Sequence, residues 1–134
     1  MTTLPITSRH LFGFAKEVAL QKKIEEAIGE PLVKSLRRMA QMDYVGDTHM
    51  VELKSRQSPI LPDTYPTWLL PTCKAPAGKQ TKDTIYFYHF EEDDSLWFLY
   101  YDEEQFSTFE RQKPFWHPTR QEHFLIPRSE WTKI

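Results

Sequence analysis

The chain has 134 residues, 40% hydrophobic and 14% aromatic, with 17 basic and 19 acidic side chains and a net charge of −2. That size and apolar content suit a single folded domain over residues 1–134 and exclude a disordered or low-complexity chain. No apolar run approaches the ~18 residues that span a bilayer, Met1 to Phe14 lacks the layout of a secretory leader, and a lone cysteine, Cys73, excludes an internal disulfide; the expectation is a cytoplasmic protein without a membrane partner.

Thr7 or Ser8 can cap a helix running from about Arg9 to Ile28, with Gly29 as its stop. Leu11, Phe14, Ala15, Val18 and Ala19 form one apolar stripe, and Leu20, Ile24, Ala27 and Ile28 a second. Pro31 ends the helical stretch, and Leu32 to Val45 reads as extended chain. Arg37 and Arg38 within it are either solvated sheet-face residues or phosphate contacts.

Met42 to Arg56 is the most informative stretch. Gly46-Asp47 is a two-residue turn signal in which glycine supplies a positive φ, flanked by β-favouring residues, so the segment predicts a hairpin. That loop pairs Val45 with Thr48, Tyr44 with His49 and Asp43 with Met50. Strand side chains alternate, so Met50, Glu52, Lys54 and Arg56 share a face with Asp43, which lies diagonal to Glu52. Two carboxylates held together repel unless a cation sits between them. Mg²⁺ takes such oxygen ligands together with waters and phosphate, and a lysine alongside can steady a water or pair with phosphate. The residue types therefore suit metal-assisted phosphodiester hydrolysis. An alternating charged strand is also the ordinary look of a solvated sheet face.

Beyond the hairpin, Pro59, Pro62, Pro66, Pro71 and Pro76 restrict the backbone, and the longest helix the passage allows is a short one over Pro71 to Lys82. Tyr65 and Trp68 read as packing residues more readily than as base-stacking ones. Thr84 to Phe90 and Leu96 to Tyr101 predict two strands joined by the acidic loop Glu91 to Ser95, with both faces of the first apolar and buried. Phe106 to Trp116 is an irregular aromatic segment, and His123 to Ile126 a last short strand ended by Pro127. The histidines have no zinc-ligand spacing, and there is no glycine-rich phosphate loop or internal repeat. The net charge of −2 is awkward for a DNA binder, so Lys22-Lys23, Arg37-Arg38, Lys54 with Arg56, and Arg111 with Lys113 would have to be segregated from the acids.

Asp43-Tyr44 followed by Val51-Glu52-Leu53-Lys54-Ser55-Arg56 resembles the core of the PD-(D/E)XK nuclease superfamily, which includes restriction endonucleases and archaeal Holliday-junction resolvases. It is also similar to small uncharacterised proteins of large DNA viruses. That likeness continues through Tyr65-Pro66-Thr67, Lys74, Tyr86-Phe87, Phe90, Tyr100-Tyr101-Asp102 and Ile126-Pro127, covering most of the chain after about residue 40. The resemblance implies an α+β, sandwich-like fold with a restriction-endonuclease-like α-β-β-β-α-β core: an N-terminal helix, a central mixed sheet of about five strands and a short second helix. It implies Mg²⁺- or Mn²⁺-dependent cleavage of DNA, with Asp43 and Glu52 as metal ligands and Lys54 positioning water or phosphate. A glutamate of the first helix, Glu17 in preference to Glu25, would join the site, and Arg56, Tyr65, Thr67 and Lys74 would contact substrate. The rival readings are a non-catalytic nucleic-acid- or protein-binding module on the same scaffold and an unrelated α+β protein in which Glu52 and Lys54 merely pair. The form of the nucleic acid and the oligomeric state, homodimer included, stay open, as does a host-cell interior if the origin is viral.

Overall fold

The computed structural model describes residues 8–35, 42–113 and 121–134, a mixed α+β structure in two compact units, 1–32 and 33–134. No described helix is long and apolar enough to cross a membrane.

The first unit is built on helix α1, Ser8–Ile28. Gly29 closes it at φ 78°, a left-handed value that a residue without Cβ adopts at little cost. The chain then folds back: the Leu32 amide donates to the Glu25 carboxylate at 2.7 Å, and Gln21 Nε2 donates to the Leu32 carbonyl at 3.0 Å. Both polar groups of Leu32 are thus satisfied by side chains one helical turn apart. Two expected stripes reduce to one over residues 16–28, where Leu20 and Ile24 are buried while Val18, Ala19 and Ala27 face solvent. Thr7, offered as a cap, lies outside the described residues, as do Arg37 and Arg38.

The second unit holds a six-stranded mixed sheet and a three-stranded antiparallel one. Its strands are β1 (Val33–Lys34), β2 (Tyr44–Val45), β3 (His49–Arg56), β4 (Thr67–Pro71), β5 (Asp83–Phe90), β6 (Ser95–Tyr100), β7 (Glu110–Gln112), β8 (His123–Pro127) and β9 (Thr132–Lys133). The large sheet runs β1-β2-β3-β5-β6-β9 and the small one β4-β8-β7, with β3 and β5 parallel and the other pairs antiparallel. The strands expected over Thr84 to Phe90 and Leu96 to Tyr101 are β5 and β6, and β5 is buried on both faces from Thr84 to Phe90. A run of seven apolar, aromatic and β-branched residues leaves such a strand no solvent face.

Three expectations are corrected here. The helix over Pro71 to Lys82 does not form; Pro71 ends β4, and a single 3₁₀ turn, Thr72–Lys74, follows. Proline is tolerated at that place because β4 is an edge strand. The second helix is instead α2, Glu103–Ser107, capped where Asp102 Oδ1 accepts from the Gln105 amide at 3.1 Å. His123 to Pro127 is a strand but not the last, since β9 follows and pairs with β6.

The core of this unit lies between the sheets. Tyr86, Tyr88 and Phe90 of β5 face Trp68 and Leu70 of β4 and Phe124 and Ile126 of β8, with Phe106 and Trp131 filling in. The edge of β4 is tied down by tyrosine hydroxyls. Tyr88 donates to the Leu69 carbonyl at 2.6 Å, and Tyr86 to the Lys74 carbonyl, just past the strand, at 2.7 Å. Burial drives both phenols well above their ordinary range, so they stay donors.

Candidate active site

The loop after β2 is wider than a two-residue turn. Val45 pairs with Met50 and Tyr44 with Val51, and the Gly46 amide donates to the His49 carbonyl at 2.8 Å. Gly46 does not adopt a positive φ. The expected turn lost because the loop's own carbonyls are used by its neighbour: Gly46 O accepts from Lys82 Nζ at 2.9 Å, and Thr48 O from the Asp83 amide at 2.9 Å. A tighter turn would forfeit both bonds.

Asp43 lies just before β2, beyond the paired residues, and its charge is near enough to Glu52 to bear on that carboxyl. The Asp43 amide donates to the Val51 carbonyl at 3.0 Å, and its Oδ2 accepts from the Leu53 amide at 2.8 Å. One carboxylate oxygen thus anchors the side chain to β3 from outside the ladder. Glu52 and Lys54 leave one face of β3, as alternation predicts, and Asp43 reaches that strand through its bond to the Leu53 amide.

Glu52 is only 3% exposed and lies beside Tyr86 of β5. Its Oε1 is 3.6 Å from Lys54 Nζ and 3.5 Å from Lys74 Nζ, while its Oε2 is buried with no hydrogen-bond partner. Burial, and then the charge of Asp43, hold the Glu52 carboxyl above its ordinary value, and the two lysines pull it partly back. A buried carboxylate oxygen without a donor is costly. It fits an oxygen-seeking cation, since hard divalent ions bind one or two carboxylates and complete their shell with water. Among the described residues no group of three or more His, Cys, Asp or Glu gathers to hold a metal, so the donor set in view is this pair.

The raised Glu52 value has a stability consequence whose sign is fixed. Between the ordinary carboxylate value and the raised one, the folded chain binds a proton that the unfolded chain has released. Stability therefore falls as pH rises through that window and stays lower above it. Glu52→Gln, which mimics the neutral acid, should raise the melting temperature at neutral pH, on the order of 1 kcal/mol in stability, and flatten that part of the profile. Melting curves from pH 4 to 8 read it (about the span of carboxylate titration); a variant less stable than wild type at pH 7 would contradict it.

Of the other expected site residues, Lys74 reaches Glu52 from the turn after β4, which its match to the viral proteins did not specify. Nothing in the spacing of residues 52 and 74 signals this pair, because a parallel crossover separates them. Arg56, Tyr65 and Thr67 come together around a different recess, away from the carboxylates. Tyr65 is 51% exposed, not packed, whereas Trp68 is buried as expected. Gln121 and His123, which sequence reasoning passed over, line the recess next to Lys54 and Arg56. Glu17 is exposed on α1 in the first unit, and Glu25 is engaged by the Leu32 amide.

Comparison of the chain with protein-family models, with curated proteins and with solved structures returns no significant match.

Proposed function

We propose that this protein hydrolyses phosphodiester bonds of DNA with the help of a divalent cation, Mg²⁺ or Mn²⁺, held by Asp43 and Glu52. The observation that carries the reading is the buried, unpartnered Oε2 of Glu52 beside a second carboxylate, Asp43, whose charge bears on it. The strand arrangement also favours it: an antiparallel β1-β2-β3 meander delivers Asp43 and then Glu52-x-Lys54, and a parallel neighbour, β5, follows. That order agrees with a restriction-endonuclease-like core in its strands, although the crossover is a strand and turn where such a core carries a helix.

A bound divalent ion acidifies a water and offsets charge on the phosphate. The chain's residues do the rest. Asp43, fixed by the Leu53 amide, and Glu52, fixed in the sheet, offer oxygens without needing to reorganise. Lys54 and Lys74 balance the two carboxylates before any ion arrives, so an ion leaves the site net positive and attractive to a phosphate. Lys54, its side chain 34% exposed, supports this reading as the cation that would meet that phosphate or the attacking water.

Asp43→Asn tests the assignment of ligands. Asparagine keeps an oxygen to accept from the Leu53 amide, so the fold should hold. Mn²⁺ affinity by calorimetry should drop by about tenfold or more, the scale of disturbing a metal's ligand set. Equal affinity in variant and wild type would remove Asp43 from the site. Incubation with linear and branched DNA in Mg²⁺ or Mn²⁺ tests the reaction itself, and no cleavage under any of these conditions would leave only a binding module.

A further inference from the structure

The outward face of the small sheet bears a cavity of about 520 Å³ that the proposed reaction does not use. Thr67, Leu69 and Leu125 face into it because they alternate with Trp68, Leu70, Phe124 and Ile126, which point to the core. Arg56, Tyr65, Pro66 and Gln112 complete the lining among the described residues. Beside it lies a recess of about 210 Å³ whose walls include Lys54, Gln121 and His123. Arg56 and Leu69 line both, so the two hollows are neighbours along one groove. On β3, Glu52, Lys54 and Arg56 follow one another along a single face at steps of about 6.6 Å, twice the rise of a strand residue. The groups along β3 thus run from Glu52, past Lys54 and Arg56, toward the cavity that Tyr65 lines.

Its chemistry selects an anion joined to a flat, partly apolar group. Among the described residues no carboxylate lines either hollow. Lys54 and Arg56 supply positive charge near the carboxylates, and leucines floor the far end. Thr67, Gln112 and Gln121 offer the donors and acceptors that a base edge needs. Tyr65, half exposed at the cavity, offers a ring on which a base can stack. The volume suits a ligand of nucleoside size. A base can enter such a hollow only when it is out of the duplex stack.

We infer that the cavity around Tyr65 and Arg56 binds an unpaired nucleotide flanking the scissile phosphate, which makes the substrate a single strand, flap or frayed end rather than a continuous duplex. The inference rests on the proposed hydrolysis for the direction of the strand along the groove, but its test does not. In EDTA, with no turnover, fluorescence anisotropy of labelled oligothymidylate of about ten nucleotides, the scale of single-strand sites, measures binding directly. The oligomer should bind at least about tenfold more tightly than a duplex of the same length. Tyr65→Ala should weaken oligomer binding by roughly 5- to 100-fold, the effect of losing one base–aromatic stack, and Tyr65→Phe should retain it. Equal affinity for strand and duplex overturns the inference, as does an unchanged Tyr65→Ala. Competition by thymidine monophosphate at the same concentration as the oligomer also overturns it, because the cavity would then serve a free nucleotide. Binding that depends on Tyr65 in a protein that never cleaves DNA supports the cavity and sinks the hydrolysis alone. Cleavage of a continuous duplex that Tyr65→Ala leaves untouched does the reverse.

Discussion

Lys54→Ala should lower DNA turnover by roughly 10²-fold or more, the usual scale for removing one preorganised electrostatic stabiliser. Single-turnover cleavage in Mg²⁺ or Mn²⁺ is the measurement. The expectation follows from geometry: Lys54 leaves the same strand face as Glu52 and sits 3.6 Å from Oε1, while a third of its side chain still reaches solvent. DNA affinity should change far less, since one phosphate contact is a small share of binding. Stability should move by no more than about 1 kcal/mol, because a partly exposed ion pair contributes little. Lys74 remains 3.5 Å from Glu52 in that variant, so the buried acid keeps one cationic neighbour. Cleavage that survives Lys54→Ala unchanged would take this lysine out of the mechanism.

The largest stability effect is expected at Trp68. Its ring meets Phe90 at 4.8 Å, Tyr88 and Trp131 at 5.3 Å each and Trp97 at 5.5 Å between centroids. Its Nε1 donates to the Pro62 carbonyl at 3.1 Å, which also secures the proline-dense segment. Trp68→Ala should cost about 3–5 kcal/mol through the lost transfer energy and the cavity left between the sheets. For a domain of this size that lowers the melting temperature by about 12–20 °C. Thermal denaturation followed by circular dichroism checks it, and a fall of only a degree or two would mean that the sheets do not meet over this ring.

Sequence patterns of short range were legible, and pairings of long range were not. The faces of β5 and the shared face of Glu52 and Lys54 follow from alternation, which a two-residue slip preserves. The slip itself was hidden, because the groups that widen the loop, Lys82 and the Asp83 amide, belong to the start of β5 and the residue before it. The small sheet was missed for a similar reason. Thr67–Pro71 has only four residues between Pro66 and Pro71 and becomes a strand through pairing with His123–Pro127, far along the chain. The α+β class was readable from the helix and two strong strands. Two hollows beside the site were not, since their walls come from β3, β4, β7 and β8 together.

The parallel pairing of β3 with β5 has a consequence for when the site comes into being. Asp43 and Glu52 meet through a local meander, whose short loop closes at small entropic cost. Lys74 lies inside the crossover of residues 57–82 that joins the parallel strands, and among the described residues β4 just before it pairs only with β8. The carboxylates therefore assemble early, and their second lysine arrives only after contacts as distant as Leu69 with Leu125 have formed. A chain still emerging during synthesis lacks a settled Lys74 until β8 has been made.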